Sequence, residues 1–399
     1  MGGEKLSSGR PGGRFAPWLT RQVLSLGVVS LCTDMGTEMG MPLLPSLIAG
    51  LGGGALALGL IDGLADAVAA ALQAFSGRWS DRSRRRKPFV ALGYGISGFL
   101  RPLFGFAAAP WQVVAVRSGD RIGKGLRKPA MNSLLEGAAA EGTRGRVFGF
   151  HDAMDNAGQL LGPLLAVALL ALYAGDVRKV LLWAAVPGVL AFIAVVGGVS
   201  EVQGPPASAR SPRGLLPPKE LLPALLPIAV FSLGNASDLF LLFKVQKEGA
   251  PLWAAALLWA GFAGVKVLSA LAGGPLADRL GPKAAITLGW FWYACIYAAF
   301  AVTHSLVVLT GLFLAYGLFH GLSEGPQKAL IGSLAAEDGK ASAYGWLGWT
   351  TGLLALPAGA LFGGLWEWQG PASAFGCGAV LAALGAGMLW WPQGAEAKA

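Results

Sequence analysis

The sequence predicts an all-α membrane protein whose twelve transmembrane helices form two pseudo-symmetric halves of six. Three observations predict it. The chain is 54% apolar and only 13% charged over 399 residues, where a soluble domain carries about 25% charged residues. Apolar stretches of about 20 residues, enough to cross a bilayer, recur along the whole length. The basic residues, moreover, collect in every second loop.

Residues 1–20 begin "MGGEKLSSGRPGGRFAPW", polar and basic, with no short apolar core before a cleavage site, and are expected to be a cytoplasmic tail. Spans 1 to 6 follow near 21–46, 56–77, 88–109, 111–136, 145–173 and 178–200, inside a first half of 21–200. The Pro-rich "EVQGPPASARSPRGLLPPKE" at 201–220 is a cytoplasmic linker. Spans 7 to 12 lie near 221–246, 251–274, 283–303, 305–335, 342–366 and 371–391, inside a second half of 221–392, and 393–399 form a second cytoplasmic tail.

One set of loops carries Arg78, Arg82, Arg84, Arg85, Arg86 and Lys87, then Arg144 and Arg146, Arg210, Arg213 and Lys219, Arg279 and Lys283, and Lys340. The other set is nearly uncharged apart from Arg178, Lys179 and Lys247. Positive-inside asymmetry puts both termini in the cytoplasm, with the chain in the cytoplasmic (inner) membrane. An even number of spans is then required, and twelve fits. The net charge of +9 reads as topology, not as nucleic-acid binding. Cys32, Cys295 and Cys377 fall in apolar spans without disulfide or metal spacing, and no cofactor motif is present.

The halves echo each other. "SGRWSDRSRRRK" after span 2 matches "GGPLADRLGPK" after span 8, and "KGLRKPAMNSLL" in span 4 is mirrored by "EGPQKALIGSLA" in span 10. Such parallel repeats are common in secondary transporters. Gly77, Asp81, Arg82, Arg85 and Arg86 match the G-x-x-x-D-R-x-G-R-R/K signature of the major facilitator superfamily, with Arg84 in place of the second glycine. A second copy keeps Gly274, Asp278, Arg279, Gly281 and Lys283. Gly158-Gln-Leu-Leu-Gly162-Pro163 is similar to the G-x-x-x-G-P motif of the family's proton-coupled antiporters, although Ala166 and Val167 replace its later small pair. Arg121 with Gly125 resembles the span-4 R-x-x-x-G element tied to proton coupling. "TDMGTEMGMPLLP" and "DRIGKGLRKP" resemble a prokaryotic subgroup. The resemblance covers all but the N-terminal tail. It implies the family's fold and a transporter, not an enzyme, and it supplies no substrate.

The charges inside the spans are the candidates for function. Arg117, Asp120, Arg121, Lys124, Arg127 and Lys128 fall on one helical face, within an arc of about 120°. Facing lipid, each would cost roughly 2.5–3.5 kcal/mol near the bilayer centre, so the arc must face a cavity or other helices. "GKG" at 123–125 lacks the spacing of a phosphate loop. Acids stand opposite: Asp34 and Glu38 in span 1, Asp62 and Asp66 with Gln73 in span 2, and His151 and Asp155 beside Asp152 and Gln159 in span 5. Asp62 and Asp66 are placed to pair with Arg117 or Arg101. The cavity wall nearly neutralises itself, so these basic residues alone do not demand an anionic substrate.

Sites in such folds lie near the membrane midplane. The candidates for substrate binding or proton coupling are Asp34, Glu38, Asp120, Arg121, Lys124, His151 and Asp155, with Asp34 or Asp155 as the coupling acid and Arg121 tuning it. Asp81, Arg82, Arg85, Asp278 and Arg279 are gating candidates, and Gly158, Gly162 and Pro163 form a helix-packing motif. The second half is poorer: Asp238 and Lys244 in span 7, Lys266 in span 8, and His320, Glu324 and Lys328 on one face of span 10, where Glu324 and Lys328 are spaced to pair. Asn235, Trp346 and Trp349 are candidate lining residues, and Trp390 and Trp391 interfacial anchors.

The expected activity is proton-coupled transport of a small organic molecule by alternating access, with export favoured by the span-5 motif. Partners are the substrate, protons and the bilayer, and the expected state is a monomer. Three alternatives stand beside it: import of an organic anion or metabolite, metal-ion export through Asp34, Glu38, His151 and Asp155, and a non-transporting receptor or scaffold.

Overall fold

The computed structural model describes residues 18–83, 85–138, 144–201, 217–334 and 340–390, and among them every regular element is helical. Span 1 is Arg21–Gly40, continued through the turn Met41–Leu43 into Leu44–Gly50. Pro42 and Pro45 lack the N–H that an unbroken helix needs, which explains the interruption. Span 2 is Ala55–Ser83, span 3 Lys87–Leu100 with the turn Arg101–Phe106, span 4 Pro110–Ala138 and span 5 Arg144–Leu172. Span 6 joins Val177–Leu182 to Ala185–Gly198, and span 7 joins Leu222–Gly234 to Leu239–Lys247. Span 8 is Leu252–Leu280, span 9 Pro282–Val302, span 10 Leu306–Tyr316 plus Leu318–Leu334, span 11 Lys340–Gln369 and span 12 Pro371–Met388. Among the described residues, nine spans are long and apolar enough to cross a membrane. The other three, spans 1, 4 and 11, match them in length, with helices of 20, 29 and 30 residues.

Local chemistry sets the helix ends. Thr20 accepts from the Val23 N–H at 3.3 Å and caps span 1. Asp176 accepts from the Arg178 and Lys179 N–H groups and caps span 6. Those donors, that of Lys179 foremost, hold its carboxyl below the usual carboxylate range. Glu201, at the start of the linker, accepts from the Arg86 and Lys87 N–H groups at 2.7 and 3.0 Å and so covers the exposed start of span 3. Gly281 turns the chain from span 8 to span 9 at φ 82°, with Pro282 at the first helical position.

Span 1 packs on spans 5 and 6, span 4 on spans 2 and 3, and span 3 on span 6. In the later part of the chain, span 12 packs on spans 7 and 9, and span 10 on spans 8 and 9. The first six spans meet the last six along span 2 against span 11 and span 5 against span 8. Two ends are distinguishable: a basic end, carrying Arg85, Arg86, Lys87 and Glu201, and the opposite end. One apolar core joins both sets of spans at the opposite end, from Met39 and Leu58 to Phe240 and Trp366, and within the last six it continues toward the basic end through Ile286, Leu330 and Leu347. At the basic end the first six spans have a core of their own, including Leu26, Tyr94, Met131 and Val195. The two sets thus share a core at the opposite end and none at the basic end, and between them charged side chains inside the helices, Asp66, Lys128 and Asp152 of the first six spans and Glu324 and Lys328 of the last six, are exposed, which marks a cleft.

Candidate functional site

Span 4 is the polar wall of the cleft. Gly123 and Gly125 let it lie close to its neighbours: a Cβ at 123 would stand 2.5 Å from the Gly93 carbonyl oxygen, and one at 125 would stand 2.7 Å from Leu72 Cβ. These glycines serve helix packing. Around them the charges sort into partners. Arg117 donates to Asp62 through Nε and Nη2, both at 3.2 Å, and lies 3.8 Å from Asp120. Asp120 is taken by Arg101 at 3.0 Å, and Arg101 also donates to the Thr33 carbonyl at 2.8 Å. Asp120, Arg101 and Arg117 are all buried. Arg121 faces Asp66 at 3.7 Å. Arg127 donates to Ser97 Oγ at 2.8 Å and lies over the Tyr94 ring. Arg101 therefore binds Asp120 and not a span-2 acid, and Asp66 goes to Arg121. Lys124 and Lys128 have no hydrogen bond or ion pair with the described residues.

The halves are tied together by polar contacts at mid-depth and toward the opposite end. Ser237 Oγ donates to Asp62 Oδ2 at 2.6 Å, and Trp259 Nε1 donates to Glu38 Oε2 at 2.8 Å. Ser46 donates to Gln246, which donates in turn to the Pro42 carbonyl, both at 3.1 Å. The Leu56 N–H at the start of span 2 donates to Glu367 Oε1 at 2.9 Å. Ser237, Trp259, Gln246 and Glu367 were not among the sequence candidates. A signal for Ser237 existed: "NASD" at 235–238 is a run of turn formers inside an apolar stretch, and the structure breaks span 7 there.

At mid-depth, Asp34 of span 1 and Asp155 of span 5 are half-buried without a hydrogen bond or ion pair among the described residues. Asp155 is within electrostatic reach of Asp34, Asp152, Lys124 and Lys128. His151 is buried, and its Nδ1 has no partner there. Gly158 and Gly162 bring span 5 onto span 1: a Cβ at either would stand 2.6 Å from a span-1 carbonyl oxygen, that of Leu31 or Met35. Pro163 follows inside the same helix. Asp34, Glu38, His151 and Asp155 do not converge as a metal-holding group, and no such group occurs among the described residues.

The second half supplies more than its sequence suggests. Asp238, at the span-7 break, accepts from Tyr316 OH at 2.7 Å and lies 3.8 Å from His320 Nε2. Glu324 bonds His320 at 2.8 Å, not the Lys328 that its spacing suggests. Lys266 lies over the Phe262 ring at 5.0 Å. Lys244 turns inward to the Phe300 carbonyl, into the second-half core. Asn235 closes the helix Leu222–Gly234, and Trp346 meets Trp349 edge-on. Of the gating candidates, Arg85 and Arg279 are exposed, while the side chains of Asp81, Arg82 and Asp278 lie outside the described residues. Trp390 donates to Thr287 at 2.8 Å, and Trp391 lies outside the described residues.

Comparison with known proteins agrees with this architecture. Residues 26–355 match the model of the Major Facilitator Superfamily. An uncharacterised MFS-type transporter of Methanocaldococcus jannaschii is 32% identical over 372 residues, covering 91% of this chain and 93% of its own. An uncharacterised protein of Mycobacterium tuberculosis is 31% identical over 359 residues, 87% of each chain. Among solved structures, a bacterial homologue of the human lysosomal transporter Spinster, in an inward-facing and occupied conformation, superposes with a TM-score of 0.73 at 16% identity, over 94% of this chain and 97% of that one. A nucleoside transporter gives a TM-score of 0.73 at 14% identity, over 93% and 98%. At these identities the solved structures speak for the fold.

Proposed function

The chain belongs to the major facilitator superfamily, a family of multi-pass membrane transporters, and we propose that it is a proton-coupled exporter of a small organic molecule in the cytoplasmic membrane. The observation that carries this reading is the pair Asp34 and Asp155. Two carboxylates from different helices, with no ion-pair partner among the described residues, share a half-buried position in the cleft. Unpaired charge is costly in such a place, and a proton taken up by one of the two acids removes part of it. A proton held in one facing state and released in the other couples its gradient to the movement of the halves. His151, one turn from Asp155, is the group that relays it. The span-5 glycine motif, which resembles that of antiporters, supports the outward direction. The basic loops place both termini in the cytoplasm, so the cleft opens toward the cytoplasm in this conformation.

The test is flux in proteoliposomes. A panel of organic compounds is applied under an imposed pH gradient, with a trapped pH dye reporting proton movement. The wild type should move protons only with its substrate, and Asp34→Asn or Asp155→Asn should abolish the coupled proton signal. Full pH-driven transport in both variants would remove proton coupling through these acids. Purified protein that binds a compound yet moves none of it would favour the receptor reading.

A further inference from the structure

We propose that Lys124, Lys128 and Lys328 form a binding site for an anionic group, which makes the transported molecule an organic anion; the assignment rests on the transporter reading above. Of the five cations on span 4, the three arginines have partners: Arg117 with Asp62 and Asp120, Arg121 with Asp66, and Arg127 with Ser97 and the Tyr94 ring. Only the two lysines remain. They stand one turn apart on one face, about 6 Å along the axis. Lys328 lies inside the helix Leu318–Leu334 of span 10 and is exposed there, as Lys128 is in span 4, and the two are within electrostatic reach of one another. None of the three has a hydrogen bond or ion pair with the described residues.

Topology does not account for them. Charges that orient a chain sit in loops, whereas Lys124 lies midway along Pro110–Ala138 and is half-buried. The acids within reach do not absorb them either. Asp66 faces Arg121 and Glu324 bonds His320. Of the other described acids that act on the span-4 lysines, Asp34 and Asp155, neither is at ion-pair distance.

Position then gives the cluster its role. The lysines line the part of the cleft where the halves are apart. Closing that end drives Lys128 and Lys328 toward one another, and two like charges with no acid at ion-pair distance among the described residues oppose it. An anion between them turns the repulsion into attraction. It binds the closed state better than the open one, which is the condition for a ligand to drive the change. Lysine suits such a role because a flexible stem and three donors can follow a carboxylate or phosphate as the walls move.

The experiment places spin labels at Gly137→Cys and Leu334→Cys, at the basic ends of spans 4 and 10, after replacement of Cys32, Cys295 and Cys377. Distances are read by double electron–electron resonance in phosphatidylcholine nanodiscs. Without added anion, K124Q/K128Q/K328Q should populate the short-distance state more than the wild type. In the wild type, succinate or inorganic phosphate should shorten the distance, whereas glucose and choline should not. In the triple variant the same shift should need about 10–100-fold more anion. Identical distances in triple variant and wild type overturn the proposal. A shift produced only by phosphatidylglycerol in the disc, and by no soluble anion, assigns the lysines to a lipid headgroup and overturns the substrate class. Ser237→Ala, which loosens the opposite end, is the control for mobility. If it shifts the distances and the lysine variant does not, the anion site alone fails. If neither moves them, the alternating-access premise fails.

Discussion

Ser237→Ala should tip the molecule toward the state open at the opposite end. Ser237 lies in the non-helical break between Leu222–Gly234 and Leu239–Lys247, and its hydroxyl donates to Asp62 across the two halves at 2.6 Å. The Asp62 side chain is only 14% exposed and keeps both contacts from Arg117, so the variant leaves no bare charge. A hydrogen bond to a charged group contributes about 1.5–3 kcal/mol. On the alternating-access reading this bond is made only while the opposite end is closed, so its loss should change the ratio of states by about 10- to 150-fold. The hydroxyl also accepts from the Leu239 N–H at 3.2 Å. That bond is local to the span-7 break, so its loss of about 1 kcal/mol falls on both states and shows in thermal stability only. The assay is double electron–electron resonance between labels at Ala108→Cys and Ser305→Cys, both in exposed turns at the opposite end. The long-distance population should rise in Ser237→Ala and return in Ser237→Thr. A change of less than twofold in Ser237→Ala would refute the view that this bond latches the halves.

Two further expectations concern stability. Asp120→Ala leaves Arg101 and Arg117, both buried, without their shared acid, and should cost about 3–5 kcal/mol in reversible unfolding in detergent; a loss under 1 kcal/mol would mean that water already serves those arginines. The apolar double variant R101M/D120L should recover most of it, since replacing a buried pair is often near neutral. Gly158→Leu forces span 5 off span 1, where even a Cβ would stand 2.6 Å from the Leu31 carbonyl oxygen. It should cost about 1–3 kcal/mol or more, visible as a lower thermal midpoint, and an unchanged midpoint would argue that the two helices are free to separate there.

The spans were legible because the bilayer imposes one rule on all of them. An apolar run of fixed length between polar ends has few alternatives, and each helical span lies within several residues of its expected place. The interruptions were harder to see, since "NASD" in span 7 and the two prolines of span 1 sit in apolar sequence that reads as continuous. Spacing also identified which side chains share a helix face, but a face does not name its neighbour. Glu38 shares a face with Asp34 and still ends on Trp259, 221 residues away. Arg101 passes over the span-2 acids to reach Asp120. Glu324 has two partners at helical spacing, His320 before it and Lys328 after it, and only the packed position of span 10 decides for the histidine. Long-range pairing is decided by which helices meet, and that information is spread over the glycines and small residues that permit close approach.

Span 4 shows what such pairing adds. Read along the chain, its six charges form one stripe; read in depth, they separate into two parts. Toward the opposite end, where the halves are joined, Arg117 and Asp120 are locked through Asp62 to Ser237 of the other half. Toward the basic end, where the halves are apart, Lys124 and Lys128 have no hydrogen bond or ion pair among the described residues, and Lys128 is within electrostatic reach of Lys328 of the other half. Arg121, between them, has a loose contact with Asp66 at 3.7 Å, and its Nε has no hydrogen bond. On the alternating-access reading, a rocking motion of one half against the other exchanges these situations: the joined end gives up the Ser237 bond while the open end closes on the lysines. The stability lost at one end has to be matched at the other, or the molecule stays in one state. On the reading proposed above, the matching contribution at the basic end is an anion brought by the substrate, and protonation at Asp34 and Asp155 sets whether the acids beside the lysines compete for that place.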